Sequence, residues 1–240
     1  MGTRFMHSRE ECACEVRTRE LRDEARRMDL ARRVYISESG IKGELAGYRL
    51  AQIQNKPKEG LVPAGFRGKV VAVGELKAIA QRYIDGFPDD MPRVLLLSGS
   101  VGCGKTHVAC SIANALLDMP YQVRYVNMVK LWAMLPQTWS RGKDESKPSD
   151  PIPGLLDATL LIMDELEKLT KDWQTAELYR IINGRYESGK PYIVTTNICS
   201  MEDMRAAIGD KIMDRLLHRA EWYFVDATSH RLAEFAGGAR

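Results

Sequence analysis

The stretch Gly99-Ser100-Val101-Gly102-Cys103-Gly104-Lys105-Thr106 sets a glycine, four intervening residues and then Gly-Lys-Thr in succession. That spacing lets main-chain N–H groups turn inward around phosphate oxygens, because glycine tolerates backbone angles that bring the chain close to an anion. Lys105 is placed to reach the β and γ phosphates of a bound nucleotide. The Thr106 hydroxyl is a hard oxygen ligand of the kind Mg²⁺ prefers. Further along, Leu160-Leu161-Ile162-Met163-Asp164-Glu165 is an apolar run ending in two acids. Beside the glycine loop, Asp164 would hold the metal's water shell and Glu165 would polarise an attacking water. Phosphoryl transfer asks the protein for those parts above all, since positioning and charge neutralisation do most of the work. Thr195-Thr196-Asn197 closes another apolar run, and the Asn197 amide could bond either the γ phosphate or the water.

These residues need a scaffold that gathers strand ends at one edge. From about residue 69 onward short apolar runs alternate with amphipathic segments, the pattern of a parallel sheet flanked by helices. The fold class is α/β. Strands are predicted at Val94 to Leu97, Val123 to Asn127, Thr159 to Met163, Tyr192 to Thr195 and Trp222 to Val225, with helices around 75 to 85, 105 to 117, 173 to 188 and 210 to 218. The glycine loop then joins a strand to a helix, whose positive end faces the phosphates. Before this region, Ser37 to Gly68 is interrupted by Gly and Pro and reads as a linker with short structured pieces. Glu15 to Tyr35 reads as a charged helix in which Leu21, Ala25, Met28 and Tyr35 form a narrow apolar stripe, suited to solvent or to docking on a partner. Trp139 to Gly154 is polar and rich in Pro and Ser, a mobile surface loop. The organisation expected is therefore an extension and linker over residues 1–68 and a catalytic domain over residues 69–240.

Composition narrows the class. The 240 residues are 45% hydrophobic and 28% charged, in the range of folded globular chains. No uncharged apolar run is long enough to cross a bilayer and no signal peptide opens the sequence, so a cytoplasmic setting and no membrane partner are expected. The five cysteines are scattered and odd in number, which suits reduced thiols. A net charge of +3 does not by itself select a nucleic-acid partner.

Taken together these segments resemble the AAA+ ATPases, specifically the DnaC/DnaI/IstB group of helicase loaders and transposition ATPases. The resemblance rests on residues 99–106 and 160–165, on Tyr179-Arg180-Ile181-Ile182-Asn183-Gly184-Arg185-Tyr186-Glu187-Ser188-Gly189-Lys190-Pro191, on Thr195-Thr196-Asn197, and on Gly209-Asp210-Lys211-Ile212-Met213-Asp214-Arg215-Leu216. It implies a P-loop NTPase domain, a three-layer αβα sandwich with a five-stranded parallel sheet, preceded by a small helical extension. It implies ATP and Mg²⁺ as ligands, Lys105 and Thr106 as Walker A residues, Asp164 and Glu165 as Walker B and Asn197 as the first sensor. By the same resemblance Arg215 is an arginine finger acting on a neighbouring subunit, hence ATP-dependent self-association, and Arg231 in Ser229-His230-Arg231-Leu232 is the second sensor.

The resemblance also implies a role: a replicative DnaB-type helicase as partner of the extension, single-stranded DNA as partner of the ATPase domain, and ATP turnover stimulated by DNA and neighbours. Lys130, Trp132, Trp139, Arg141 and Lys143 offer the cations and aromatic platforms that single-strand binding uses, in a stretch that could equally pack as an ordinary helix. The same fold also serves ATPases that assist a transposase on double-stranded DNA. A nucleotide-gated interaction module with little hydrolysis is a third reading. At the amino terminus His7, Cys12 and Cys14 give three candidate ligands where a structural zinc site uses four, so zinc is not expected. Cys103, Cys110 and Cys199 read as small buried residues.

Overall fold

A computed structural model describes residues 13–54, 56, 58–139 and 149–229. Six parallel strands form one sheet in the order β1-β6-β2-β5-β4-β3: β1 is Lys69–Val71, β2 Val94–Gly99, β3 Val123–Asn127, β4 Leu160–Leu166, β5 Tyr192–Thr196 and β6 Ala220–Val225. The helices are α1 Ala13–Glu38, α2 Val73–Asp85, α3 Lys105–Asp118, α4 Met128–Trp139, α5 Ile152–Asp157, α6 Asp172–Ser188, α7 Met201–Ile208 and α8 Asp210–Leu217.

The sheet is buried on both faces, so its strands are apolar almost throughout. Their side chains still sort by the two-residue period of a strand. Leu95, Leu97, Leu160, Ile162 and Ile193 join α2 and α3 on one side. Val94, Leu96, Leu161, Met163, Tyr192 and Val194 join α4, α6, α7 and α8 on the other. The result is the expected three-layer sandwich. The expected five strands become six because Lys69–Val71 also pairs with β6, with Val71 opposite Val225. Three residues are too few for periodicity to reveal.

The segment after α1 is held against the sandwich. Ser39 O accepts the Tyr125 N–H at 2.6 Å on the outer strand β3, and Ile41 is buried in the α2/α3 side of the core. Gly40, at φ +80°, approaches so closely that a Cβ there would lie 2.5 Å from Tyr125 O. Two short 3-10 turns, Gly43–Gly47 and Leu50–Gln52, follow. Asn114 on α3 donates to the carbonyls of Leu45 and Tyr48 at 2.9 and 3.0 Å, and Tyr48 stacks on His107. Further on, the Asp226 carboxylate, 1% exposed, accepts the N–H groups of Gly60 and Leu61, each at 2.8 Å. Much of the stretch read as a mobile loop after Trp139 falls outside the described residues, and its end is α5. No described helix is long and apolar enough to cross a membrane.

Candidate nucleotide site

The glycine loop runs from the end of β2 into α3, with Gly104 as the helix's N-cap. In the first turn of α3 the N–H groups have no intrahelical acceptor and point toward the loop's cavity, where the helix dipole also favours negative charge. Gly99 has φ +146°, and a Cβ there would meet Val225 O at 2.8 Å. Gly102 has φ +79°, and a Cβ would meet the Ser229 hydroxyl at 2.2 Å. Both positions require glycine on conformation and on space.

Lys105 is 8% exposed, and its ammonium donates to Gly99 O and Ser100 O, each at 2.8 Å, and to Asn197 Oδ1 at 3.0 Å. A phosphate entering the loop would find the cation already aimed into it. Opposite, Thr106 Oγ1 donates to Asp164 Oδ1 at 2.8 Å. A hydroxyl and a carboxylate in contact are the hard oxygen donors that suit Mg²⁺, so the residues present fit the nucleotide and its metal.

Asp164 is 2% exposed, and three hydroxyls share it: besides Thr106, Thr195 donates to Oδ1 at 2.6 Å and Tyr125 to Oδ2 at 2.7 Å. Burial, then the Asp164 charge, pushes the Tyr125 phenol well above its ordinary range, so it remains a proton donor to the carboxylate. Burial and Asp164 likewise push the Cys110 thiol up to about 12. Cys103 and Cys110 are buried, and Cys199 is half-buried; burial raises the thiols of Cys103 and Cys199 too.

Consecutive strand residues ordinarily point to opposite faces. A register shift between Met163 and Leu166 breaks that rule, and Glu165 takes φ +58°. Such a bulge re-aims a side chain. The exposed Glu165 carboxylate accepts the Asn127 amide at 2.6 Å, and its own N–H donates to Thr195 Oγ1 at 3.0 Å. Thr195 thus ties both acids together. Asn127 in turn caps α4, with Oδ1 accepting the Lys130 N–H at 3.1 Å.

The structure therefore brings Lys105, Thr106, Asp164, Glu165 and Asn197 to one edge of the sheet. Arg215 is not among them. On α8 its Nε donates to Asn183 Oδ1 at 2.7 Å, and its guanidinium lies 5.0 Å from the Tyr179 ring and 5.9 Å from Tyr186. That places it toward the edge where the strands begin, away from its own loop. Arg231 lies outside the described residues, as do Arg141, Lys143, His7 and Cys12; the described chain ends at Ser229, beside Gly102. Trp132 and Trp139 meet Trp173 edge-on at 5.9 and 5.1 Å, with Trp139 53% exposed and Lys130 nearby at the start of α4.

Sequence reasoning missed Tyr125, Asn127 and the dual role of Thr195. Each sits at the end of a predicted strand, and polar residues closing apolar runs at the same sheet edge were the available signal.

Comparison with known proteins fits this geometry. The family model described as "IstB-like ATP binding protein" matches residues 80–236. The chain belongs to that family. Within it, the domain is a P-loop ATP-binding domain of the AAA+ type. A Pseudomonas aeruginosa protein of insertion sequence IS21, named for ATP binding, is 31% identical over 154 residues, covering 62% of this chain and 56% of that protein. The replicative helicase loader DnaC of Escherichia coli K12 is 27% identical over 169 residues, covering 68% of this chain and 66% of that protein. The chain thus matches under two thirds of each relative's own length. Among solved structures, the DnaC helicase loader superposes with a TM-score of 0.63 at 20% identity, covering 77% of this chain and 99% of that one. DnaI gives 0.60 at 18% identity, covering 80% and 95%. These likenesses establish the shared fold.

Proposed function

We propose that this chain is an ATP-dependent helicase loader, which grips a replicative DnaB-type helicase through residues 1–68 and single-stranded DNA through the ATPase domain of residues 69–240. ATP binding and hydrolysis time loading and release. The observation that carries the ATPase reading is the cluster around Asp164, where a buried carboxylate, the Thr106 hydroxyl and the re-aimed Glu165 face the loop that holds Lys105.

The loop N–H groups and Lys105 bind the β and γ phosphates. Thr106 and Asp164 would hold a magnesium ion, which would supply charge neutralisation at the phosphates. Glu165 orients the attacking water, and Asn197, already bonded to Lys105, reports the γ position. Arg215, directed away from its own site, acts on the ATP of a neighbouring copy, and Arg231 serves as the second sensor on the nucleotide of its own.

Support for the loader role comes from the DnaC relatives and from α1, which exposes Leu21, Met28, Leu30 and Val34 among its charges, surface for a partner to cover. The identity to the IS21 protein favours a second reading, a transposition helper ATPase on double-stranded DNA. Co-purification with a DnaB-type helicase and with a transposase, each with and without ATP, decides between them. Retention of the helicase through residues 1–68, surviving Lys105→Ala, is the expected result; capture of the transposase alone refutes the loader.

A further inference from the structure

At the edge of the sheet where β2 and β5 begin, opposite the glycine loop, lies a cavity of about 280 Å³ bounded by α6 and α8. Its walls include Arg93, Arg185, Lys190, Arg215 and Arg219, and one carboxylate, Glu187. Glu187 is already occupied, accepting the Asn183 amide at 2.9 Å. So much positive charge around one concavity favours an anion.

Two cations are fixed in place. Arg185, fully buried, spreads its terminal nitrogens over the carbonyls of Leu155, Leu156, Ala158, Thr159 and Pro191, and burial lowers its pKa to about 10. Among the described residues its Nε has no hydrogen-bond partner, nor does the buried hydroxyl of Tyr192, which lines the same cavity. Lys190 donates to the carbonyls of Leu156 and Asp157. Three cations keep spare donors at the rim. Arg93 uses Nη1 on Pro88 O at 3.3 Å, and Arg215 is held by Asn183 and the tyrosine faces. Arg219 is exposed, has no ion-pair or hydrogen-bond partner among the described residues, and sits at φ +57°, a conformation that costs a non-glycine residue.

The glycine-loop site has the complementary shortage. Among the described residues Lys105 is the one cation hydrogen-bonded to the loop, and even with a divalent ion and with Arg231 assigned above to the nucleotide of its own copy, a triphosphate and the carboxylates of Asp164 and Glu165 carry more negative charge than these neutralise. Negative charge is left over, and in phosphoryl transfer it must be neutralised.

We propose that this cavity receives the triphosphate end of an ATP held in the glycine loop of a second copy of this chain, with Arg219 and Arg93 joining Arg215 as its ligands. The proposal rests on the ATPase reading and on Arg215 acting across an interface, and it extends both to a multi-residue socket. The contact is head-to-tail, loop edge of one copy against strand-start edge of the next.

Mixing copies tests it. A double variant, Arg93→Ala with Arg219→Ala, keeps its own loop and should bind a fluorescent ATP analogue within about twofold of the parent chain, while ATP turnover falls by about a thousandfold, the low end of the range for trans-acting arginines, and ATP-driven association by sedimentation velocity is lost. Lys105→Ala should be silent alone for lack of ATP. Mixed in equal amounts, the two should recover about a quarter of parental turnover, the share of head-to-tail interfaces that pair a sound loop with a sound socket. Parental turnover and association in the double variant, or no recovery on mixing although it still binds the analogue, overturns the socket and leaves the ATPase reading standing. Failure of the parent chain to bind the analogue with Mg²⁺ overturns the ATPase reading itself. Tight binding of tripolyphosphate to monomeric Lys105→Ala, without recovery on mixing, makes the cavity a site for free anions and overturns the second-copy occupant.

Discussion

Replacing Thr195 with valine tests the claim that one hydroxyl holds both acids. Thr195 is 1% exposed, and valine matches its shape, so little cavity results. Two bonds disappear: the 2.6 Å donation to Asp164 and the 3.0 Å acceptance from the Glu165 N–H. A hydrogen bond to a charged group contributes roughly 1.5–3 kcal/mol, and the stranded N–H adds about 1 kcal/mol, for an expected loss of about 3 kcal/mol. Thr195→Ser keeps the hydroxyl and forfeits one buried methyl, for a loss of about 1 kcal/mol. Urea titrations of the three chains, followed by circular dichroism, measure the difference. Magnesium-dependent binding of an ATP analogue should weaken in Thr195→Val and hold in Thr195→Ser. If the serine chain loses as much stability as the valine chain, or the valine chain loses less than about 0.5 kcal/mol, the hydroxyl is not what holds the acids.

Lys105→Ala should abolish ATP binding in equilibrium fluorescence while leaving the melting temperature near the parental value, since its amine bonds two loop carbonyls, the Cys103 sulfur of the same loop and Asn197. Glu165→Gln should retain binding yet lose about a hundredfold or more in single-turnover hydrolysis, the range for positioned acid–base groups. Asn127→Ala removes the cap of α4 and should cost about 1 kcal/mol in urea, whereas Asn127→Ser, which can still cap, should cost less than half of that. Asp226→Ala frees the Gly60 and Leu61 amides, so limited proteolysis should cut near residue 60 far faster than in the parent chain; equal cutting rates would show that the carboxylate does not hold that segment.

The glycine loop, the paired acids and the strand end that leads into Asn197 were legible because their chemistry forces a residue order onto the chain. The strands between them were legible for a different reason: burial on both faces leaves short apolar runs that stand out against the helices. What stayed hidden depends on bonds across the fold. The bulge that turns Glu165 has no glycine to mark it, and it is stabilised by Thr195, which is far away in sequence. The pairing of Tyr125 with Asp164 needs β3 beside β4 in register, with Asn127 opposite Asp164, and local pattern does not supply that alignment. The residues just after α1 read as linker because their glycines break periodicity, yet Gly40 breaks it so that the chain can lie against Tyr125.

That contact closes the outer strand. An unpaired β3 would offer its amides to any extended chain, the usual opening for sheet-to-sheet aggregation. Ser39 takes the central one, and Gly40 brings the main chain too near for another strand to slip between. A shortened chain that starts beyond residue 42 would expose this border, and its poor solubility could be mistaken for a fault of the ATP-binding domain when the missing piece is its hem.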